Sequence, residues 1–209
     1  DVMVAPDGSL LVSEAVGPGK GRVVRVAGGA VTDLVTGLDY LGGLALAGQT
    51  LLGANVDASF AGMVRRYGLD GAPLGPLASG LPGAYDVAVD ADGVVLVSGE
   101  MSAQPPPDCS GRLLTLGSTV GERAHGFCSS GDMYFDPVRN EILVLDYGAT
   151  AVAAISISKP RCSRSRARKT RATMESSTRT IRFPPTTDRT GFSLTLTPKW
   201  RIDCFGSMN

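Results

Sequence analysis

Short apolar runs alternate with turn residues along the first three quarters of the chain. Residues 85–100 read Y-D-V-A-V-D-A-D-G-V-V-L-V-S-G-E, so two runs rich in valine flank Asp92-Gly93. Asp-Gly between such runs is typical of a tight β-hairpin, because the turn requires a residue that tolerates positive φ. The pattern predicts strands over residues 87–89 and 94–98, joined by this turn.

The same hairpin pattern occurs in three more places. Residues 1–14 read D-V-M-V-A-P-D-G-S-L-L-V-S-E, residues 132–146 read D-M-Y-F-D-P-V-R-N-E-I-L-V-L-D, and a weaker copy occupies residues 43–55. The four units start near residues 1, 43, 86 and 132, so successive starts are 42, 43 and 46 residues apart. A repeat of about this length that contains four strands is typical of a β-propeller blade.

Alternation and turn residues predict the remaining strands of each unit. They lie over residues 22–27 and 30–36 in the first unit, 63–69 and 73–79 in the second, 112–117 and 122–128 in the third, and 151–158 in the fourth. We therefore predict an all-β fold, a propeller of four-stranded antiparallel blades over residues 1–158.

Charge and glycine content change sharply after residue 158. Residues 1–158 contain 8 Lys and Arg against 17 Asp and Glu, whereas residues 159–209 contain 12 against 3, and glycine falls from 25 to 2. Residues 159–209 therefore form an irregular, basic, Ser/Thr/Arg-rich tail. Three alternatives remain open: a basic arm, the only feature that suggests nucleic acid; a disordered solvated extension; or a slip of the reading frame near residue 158.

The cysteines and the start of the chain bear on the compartment. Cys109 and Cys128 flank the outer strands of the third unit, and a bridge between them would close a loop of 20 residues; the alternative is two unrelated buried thiols. A bridge would favour an oxidising compartment, so we expect an extracellular or periplasmic protein. No apolar run approaches the ~20 residues of a membrane helix. The chain begins at Asp1 with no signal peptide, and we expect that its true start, with any export signal, is missing.

Carboxylates and one amide recur at the ends of the predicted hairpins. Because the first strand of a blade starts, and the second ends, at the same side of the propeller, these residues should share one face around the central channel, which we call the channel face. The candidates are Glu14, Asn55, Asp86, Glu100, Asp132 and Asp146. Clustered oxygen ligands of this kind suit hard cations such as Ca²⁺, Mg²⁺ or Mn²⁺. The alternative is that they are turn and strand-end residues that accept backbone hydrogen bonds.

The repeats D-V-M-V-A-P-D-G-S-L-L-V-S-E and Y-D-V-A-V-D-A-D-G-V-V-L-V-S-G resemble those of NHL-repeat and SMP-30 (gluconolactonase-like) propellers. The resemblance covers residues 1–158 and implies a six-bladed ring, of which four blades are recognisable here. In SMP-30-like lactonases a divalent metal sits in the channel on Glu, Asn and Asp ligands. Asp86 looks like the aspartate that opens the corresponding hairpin of that family, and Asp132 is a second match by the repeat.

Two function classes follow from these observations. The first is a propeller scaffold that binds a small molecule or a protein partner at the channel face. The second is a metal-dependent hydrolase of the lactonase type, with Asp86 as a ligand of a divalent cation (Ca²⁺, Mg²⁺, Mn²⁺ or Zn²⁺) that polarises a carbonyl and activates water. Only one ligand can be carried over from the resemblance, so the sequence favours the binding scaffold.

Overall fold

The computed structural model describes residues 1–59, 61–99, 109–157 and the backbone of 179–181. These residues form four antiparallel sheets of four strands each, without a helix, and so include no helix that could cross a membrane. Blade 1 contains β1 (Val2–Val4), β2 (Leu10–Glu14), β3 (Gly21–Ala27) and β4 (Ala30–Leu38); blade 2 contains β5 (Tyr40–Ala47), β6 (Thr50–Val56), β7 (Gly62–Gly68) and β8 (Pro73–Leu81); blade 3 contains β9 (Asp86–Val89), β10 (Val95–Gly99), β11 (Gly111–Leu116) and β12 (Val120–Phe127); blade 4 contains β13 (Ser130–Asp136), β14 (Glu141–Asp146), β15 (Ala151–Ser156) and β16 (Arg179–Ile181).

The predicted fold class is confirmed, because each repeat folds into one meander of antiparallel strands. The hairpins share one register: Val2 pairs with Val12 in blade 1, and Val87 pairs with Val97 in blade 3. The predicted Asp-Gly turn at Gly93 has a φ of 79°, a backbone conformation that glycine adopts without steric cost. The structure describes four blades, and the expectation of six stays a prediction.

Three apolar clusters hold neighbouring blades together. Leu11 and Val23 of blade 1 pack on Leu44 and Leu51 of blade 2. The second cluster joins blades 2 and 3, and the third joins blades 3 and 4, where Leu113 meets Ile142. Because successive side chains of a strand point to opposite faces, each inner blade buries one face against the blade before it and the other against the blade after it.

The fourth sheet extends into the segment that the sequence assigned to the tail. β16 pairs with β15 through Val152 and Ile181, so the outer strand of blade 4 lies 21 residues beyond residue 158 at its start. The rest of residues 159–209 lies outside the described residues, and the three alternatives for this segment stay open.

A disulfide joins Cys109 and Cys128, the pair that the sequence singled out. In the chain-entropy account, a bridge stabilises the folded state by restricting the unfolded chain. Cys128→Ser is expected to lower the free energy of unfolding by about 3 kcal/mol, the value for a closed loop of this size. Urea unfolding with and without dithiothreitol measures it. The reductant should destabilise the wild type as much as the substitution does, and an equal effect of reductant on Cys128→Ser would contradict the assignment.

Candidate functional site

Asp86, the residue that opens β9, links blade 3 to blade 4. Its side chain is buried, with only 6% of the residue's surface exposed. Oδ1 accepts the N–H of Val87 at 2.7 Å, and Oδ2 accepts a short hydrogen bond from the N–H of Met133 in β13. Each oxygen of this carboxylate therefore accepts a hydrogen bond from a backbone N–H, one in blade 3 and one in blade 4.

Ser98, on the strand beside Asp86, makes a second link between the same blades. It is fully buried, and its hydroxyl accepts the N–H of Asp86 at 3.1 Å and donates to the carbonyl of Gly131 at 3.1 Å. We call this pair of residues, an aspartate that opens the inner strand and a serine opposite it, the Asp–Ser tie.

Blade 1 is joined to blade 2 by the same tie. Asp1 accepts the N–H of Leu44 at 2.8 Å, and the hydroxyl of Ser13 donates to the carbonyl of Gly42 at 2.8 Å. The amino group of Asp1 donates to Ser13 at 2.9 Å, as the N–H of Asp86 does to Ser98. The tie therefore recurs in alternate blades, at the two junctions 1–2 and 3–4.

At the junction between blades 2 and 3, glycines take the place of the tie. Gly43 stands where Asp1 and Asp86 stand in their blades, and its N–H donates to the carbonyl of Tyr85 at 2.9 Å. A Cβ on Gly42 would lie 1.8 Å from that same carbonyl oxygen, and a Cβ on Gly43 would lie 1.4 Å from Oδ1 of Asp86. The backbone of Tyr85 leaves no room for a side chain on Gly42, and the carboxylate of Asp86 leaves none on Gly43.

Asp86, Asp132 and Tyr147 form a polar cluster at the channel face of blades 3 and 4. The Tyr147 hydroxyl donates to Oδ2 of Asp132 at 3.1 Å, and this bond is the main cause of the raised pKa of Tyr147. Burial raises the pKa of Asp86 to about 6, and the charge of Asp132 adds to the rise; the two backbone N–H donors and the chain's amino group oppose it. Two carboxylates thus share this region, one buried and one exposed.

Glu14 and Asp146 make other bonds. Glu14 accepts the Nε–H of Arg22 at 2.7 Å, and that guanidinium also pairs with Asp33. Asp146, which is buried, accepts backbone N–H groups of Cys128, Ser129 and Ala149 at 2.9–3.2 Å. Glu14 therefore joins strands of its own blade, and Asp146 holds the connection between β12 of blade 3 and β13 of blade 4, as the alternative of strand-end residues expects. Glu100 lies outside the described residues.

Asn55, at the end of β6, is buried with one hydrogen-bonding atom unused. Its Nδ2 donates to the carbonyl of Tyr40 at 3.3 Å, whereas its Oδ1 has no hydrogen-bond partner. A buried acceptor without a donor costs free energy. Asn55 thus differs from Asp86 and Asp146, each of which has both carboxylate oxygens bonded.

The donor set does not fit a metal site with three protein ligands. Hard cations take several oxygen ligands at once, but both oxygens of Asp86 accept backbone N–H bonds and Glu14 is paired with Arg22. Within residues 1–59, 61–99 and 109–157, no group of three His, Cys, Asp or Glu side chains could hold a metal ion. Asp86 as a metal ligand stays a prediction that the geometry of the described residues does not support.

A cavity of about 260 Å³ opens on the channel face where blades 1, 2 and 3 meet. Its walls are almost wholly apolar. They come from strand starts and strand ends, and the lining residues are Ala15, Tyr40, Leu41, Gly42, Val56, Ala84 and Tyr85. The starts of β5 and β9 and the end of β6 therefore share one face of the propeller.

Sequence reasoning missed the two serines, Tyr147 and the glycine contact. A signal for the serines is present, because a serine directly follows the second apolar run of both hairpins. Ser13 follows L-L-V, and Ser98 follows V-V-L-V. Gly43 was recognised only as the start of a weaker repeat. One sequence does not show that Gly43 lies against Asp86 across the blade junction.

The sequence matches no protein family model and no curated protein. Several solved structures share its fold. Hydrazine synthase from Kuenenia stuttgartiensis aligns with a TM-score of 0.60 and 14% identity, over 74% of this chain and 51% of that chain. A gluconolactonase from Xanthomonas campestris aligns with a TM-score of 0.52 and 17% identity, over 69% of this chain and 52% of that chain.

Regucalcin, a calcium-binding protein from Agrobacterium tumefaciens, aligns with a TM-score of 0.50 and 18% identity, over 69% of this chain and 51% of that chain. The chain thus spans about half the length of the solved structures that it matches. At these identities the likeness shows the fold, which is the fold of the gluconolactonase-like propellers that the repeats resemble.

Proposed function

We propose that the chain is a propeller scaffold that binds a small ligand, or an apolar side chain of a protein partner, in the cavity at its channel face. The cavity itself carries this proposal: it is concave, apolar and formed by three blades, which is the usual character of a ligand site. The propeller supplies the scaffold, and the ends of its strands supply the walls.

The chemistry of the walls selects the ligand. Aliphatic side chains and the ring of Tyr85 favour a small aromatic or branched apolar group, which gains free energy as water leaves the walls. Buried polar groups nearby are already bonded, apart from Oδ1 of Asn55. Asn55 is not part of the walls and no charged side chain lines the cavity, so a neutral apolar ligand suits the site better than an anion.

Filling the cavity is expected to abolish binding without unfolding the protein. Ala15 lines the mouth and is exposed, so Ala15→Phe places a ring in the opening without disturbing the core. With indole as the probe, saturation-transfer NMR should show binding to the wild type and at least a tenfold weaker signal for Ala15→Phe. Ala27→Phe, at the exposed last residue of β3 and away from the cavity, is the control and should bind like the wild type. Equal binding to all three proteins would refute the proposed site.

The alternative, a metal-dependent hydrolase, makes a different demand. It requires stoichiometric binding of Ca²⁺ or Mn²⁺ that Asp86→Ala abolishes, which isothermal titration calorimetry measures. The bonded oxygens of Asp86 favour the scaffold over this alternative. The disulfide of Cys109 and Cys128 supports an oxidising compartment, and we propose an extracellular or periplasmic setting for the interaction.

A further inference from the structure

Acidic residues border the apolar cavity of the channel face. Its lining residues belong to four stretches of chain, namely Ala15, residues 40–42, Val56 and residues 84–85, and a carboxylate stands directly beside each of them in the sequence. No lysine or arginine occupies any of these flanking positions. The walls are therefore apolar and their borders acidic. The four border residues are Glu14, Asp39, Asp57 and Asp86.

Two of these four carboxylates already have partners. Glu14 pairs with the guanidinium of Arg22 at 2.7 Å. Asp86 is buried, and each of its oxygens accepts a backbone N–H. The negative charge that a ligand meets at the cavity therefore comes from the other two, Asp39 and Asp57.

Asp39 and Asp57 lie side by side at the rim of the cavity. Tyr40 pairs with Val56 in the ladder of β5 and β6, and both residues line the cavity. Asp39 precedes Tyr40 and Asp57 follows Val56, so each stands one residue beyond the same pair. Because β5 starts and β6 ends at the channel face, both aspartates are on the solvent side of the walls. Both are partly exposed.

One carboxylate oxygen of each aspartate is left for a ligand. Oδ1 of Asp39 accepts the N–H of Gly19, in the neighbouring loop of blade 1, at 3.0 Å. Oδ1 of Asp57 accepts the hydroxyl of Ser59 at 2.7 Å and the N–H of Ala61 at 3.0 Å. Among the described residues, no donor contacts Oδ2 of either side chain. Each aspartate is thus held through Oδ1 and keeps a second acceptor unused.

Neither aspartate forms an ion pair within the described part of the chain. The hydroxyl of Ser59, together with backbone N–H donors, lowers the pKa of Asp57, so this carboxylate is ionised at neutral pH. Lys20, in the adjoining loop, is exposed, and the ion pairs between described residues do not include it. Like charges at neighbouring positions of a strand pair repel each other. A cation beside Asp39 and Asp57 would relieve this repulsion.

We propose that the cavity binds a small organic ammonium ion, with its apolar group inside the walls and its ammonium group at the rim beside Asp39 and Asp57. This inference rests on the proposed function and adds the charge of its ligand. The cavity of about 260 Å³ exceeds the ~150 Å³ of an apolar cavity that binds benzene, so one aromatic ring fits. An ammonium group has three donors and can bond to Oδ2 of both aspartates, whereas a carboxylate would be repelled there.

Three ligands with the same ring and different charges test this inference: 2-phenylethylamine, 2-phenylethanol and 3-phenylpropionate. Saturation-transfer NMR titrations at pH 7 give the dissociation constant of each. The amine should bind about fivefold more tightly than the alcohol, the effect of an ion pair at a partly exposed site, and the carboxylate should bind most weakly. Sodium chloride at roughly 0.5 M, where the screening length is about 4 Å, should remove most of the difference.

A double variant removes both charges and keeps the bonds that position the rim. Asparagine at either position retains an oxygen that can accept the bonds now made to Oδ1. In Asp39→Asn with Asp57→Asn, the affinity ratio of amine to alcohol should fall from about five to about one. Asp92→Asn, in the exposed turn between β9 and β10 and away from the channel face, is the matched control and should keep the wild-type ratio. Circular dichroism checks that each variant folds.

The outcomes separate this inference from the proposed function. If amine and alcohol bind the wild type equally, or the carboxylate binds best, while indole still binds and Ala15→Phe still blocks it, the scaffold stands and the ammonium assignment is wrong. A double variant that keeps the preference for the amine would also overturn the assignment. The blocked dipeptide Ac-Phe-Lys-NH2 carries the same ring and charge, and tighter binding of the peptide than of the amine would overturn the small-molecule class in favour of a basic protein partner. If no ligand binds, the proposed function and this inference both fail.

Discussion

Gly42→Ala is expected to lower the free energy of unfolding by about 4 kcal/mol, above the ~1–3 kcal/mol typical of overpacked side chains. The added Cβ would lie 1.8 Å from the carbonyl oxygen of Tyr85 and 2.9 Å from its carbonyl carbon. Side chains relieve overpacking by changing rotamer, but both obstacles here are backbone atoms. Blades 2 and 3 must therefore move apart, which disturbs the apolar cluster between them.

Urea unfolding of the variant measures this effect. Gly117→Ala is the control, since its Cβ would meet its nearest atom, the carbonyl oxygen of Thr119, at an ordinary 3.8 Å. The control should unfold within about 1 kcal/mol of the wild type, in either direction, as surface glycine replacements do. If Gly42→Ala were as stable as Gly117→Ala, the close approach of blades 2 and 3 would be wrong.

Asp86→Ala is expected to lower the free energy of unfolding by about 3 kcal/mol at pH 7, because two buried N–H groups lose their acceptor at about 1–3 kcal/mol each. The donors belong to Val87 and Met133, so the loss weakens blade 3 and its junction with blade 4 together. Asp92→Ala, at an exposed turn position of the same hairpin, is the control and should change stability little.

The effect of Asp86→Ala should grow as the pH falls from 7 to 5. The pKa of Asp86 is about 6 in the folded protein, above its ordinary value of 3.8, so the folded state binds this proton more tightly than the unfolded chain does. The stability that Asp86 contributes is therefore greatest below the unfolded pKa and falls as the pH rises through 6. Between pH 7 and pH 5 this amounts to roughly one pKa unit, or about 1.4 kcal/mol.

Urea titrations of the wild type and Asp86→Ala at pH 5 and pH 7 test this pH dependence. The difference in unfolding free energy between the two proteins should be larger at pH 5. Asp92→Ala, at an exposed turn position of the same hairpin, is measured beside them as the control. A difference that is larger at pH 7 would mean that Asp86 has a lowered pKa in the folded protein.

The fold could be predicted because its determinants are local. Each blade is a meander whose strands pair with their neighbours in the chain, so alternation and an Asp-Gly turn such as that at Gly93 define a hairpin directly. The inner hairpin of blade 4 has no glycine in its turn. Asn140 adopts positive φ there instead, with a φ of 53°. Asparagine tolerates that region better than most residues.

The role of the candidate site residues could be predicted only in part. That Asp86 opens a strand at the channel face followed from the repeat, but its bond to Met133 spans 47 residues and depends on how two blades meet. Glu14 occupies the same type of position, yet Arg22 lies opposite it on the next strand and forms an ion pair with its carboxylate. Sequence gives the strand end on which a carboxylate lies, whereas its partner comes from the neighbouring strand or blade.

The Asp–Ser tie also bears on how the chain folds during synthesis. The bonds of the tie that cross a junction join a blade to the one made directly after it: Asp1 accepts from Leu44, and Ser98 donates to Gly131. Strand pairing needs only short loops to close, and such closures cost little entropy. A blade can therefore form while the ribosome is still translating its successor. The aspartate and serine at its inner edge are then in place to bind the next inner strand as it emerges, at the junctions of blades 1 and 2 and of blades 3 and 4.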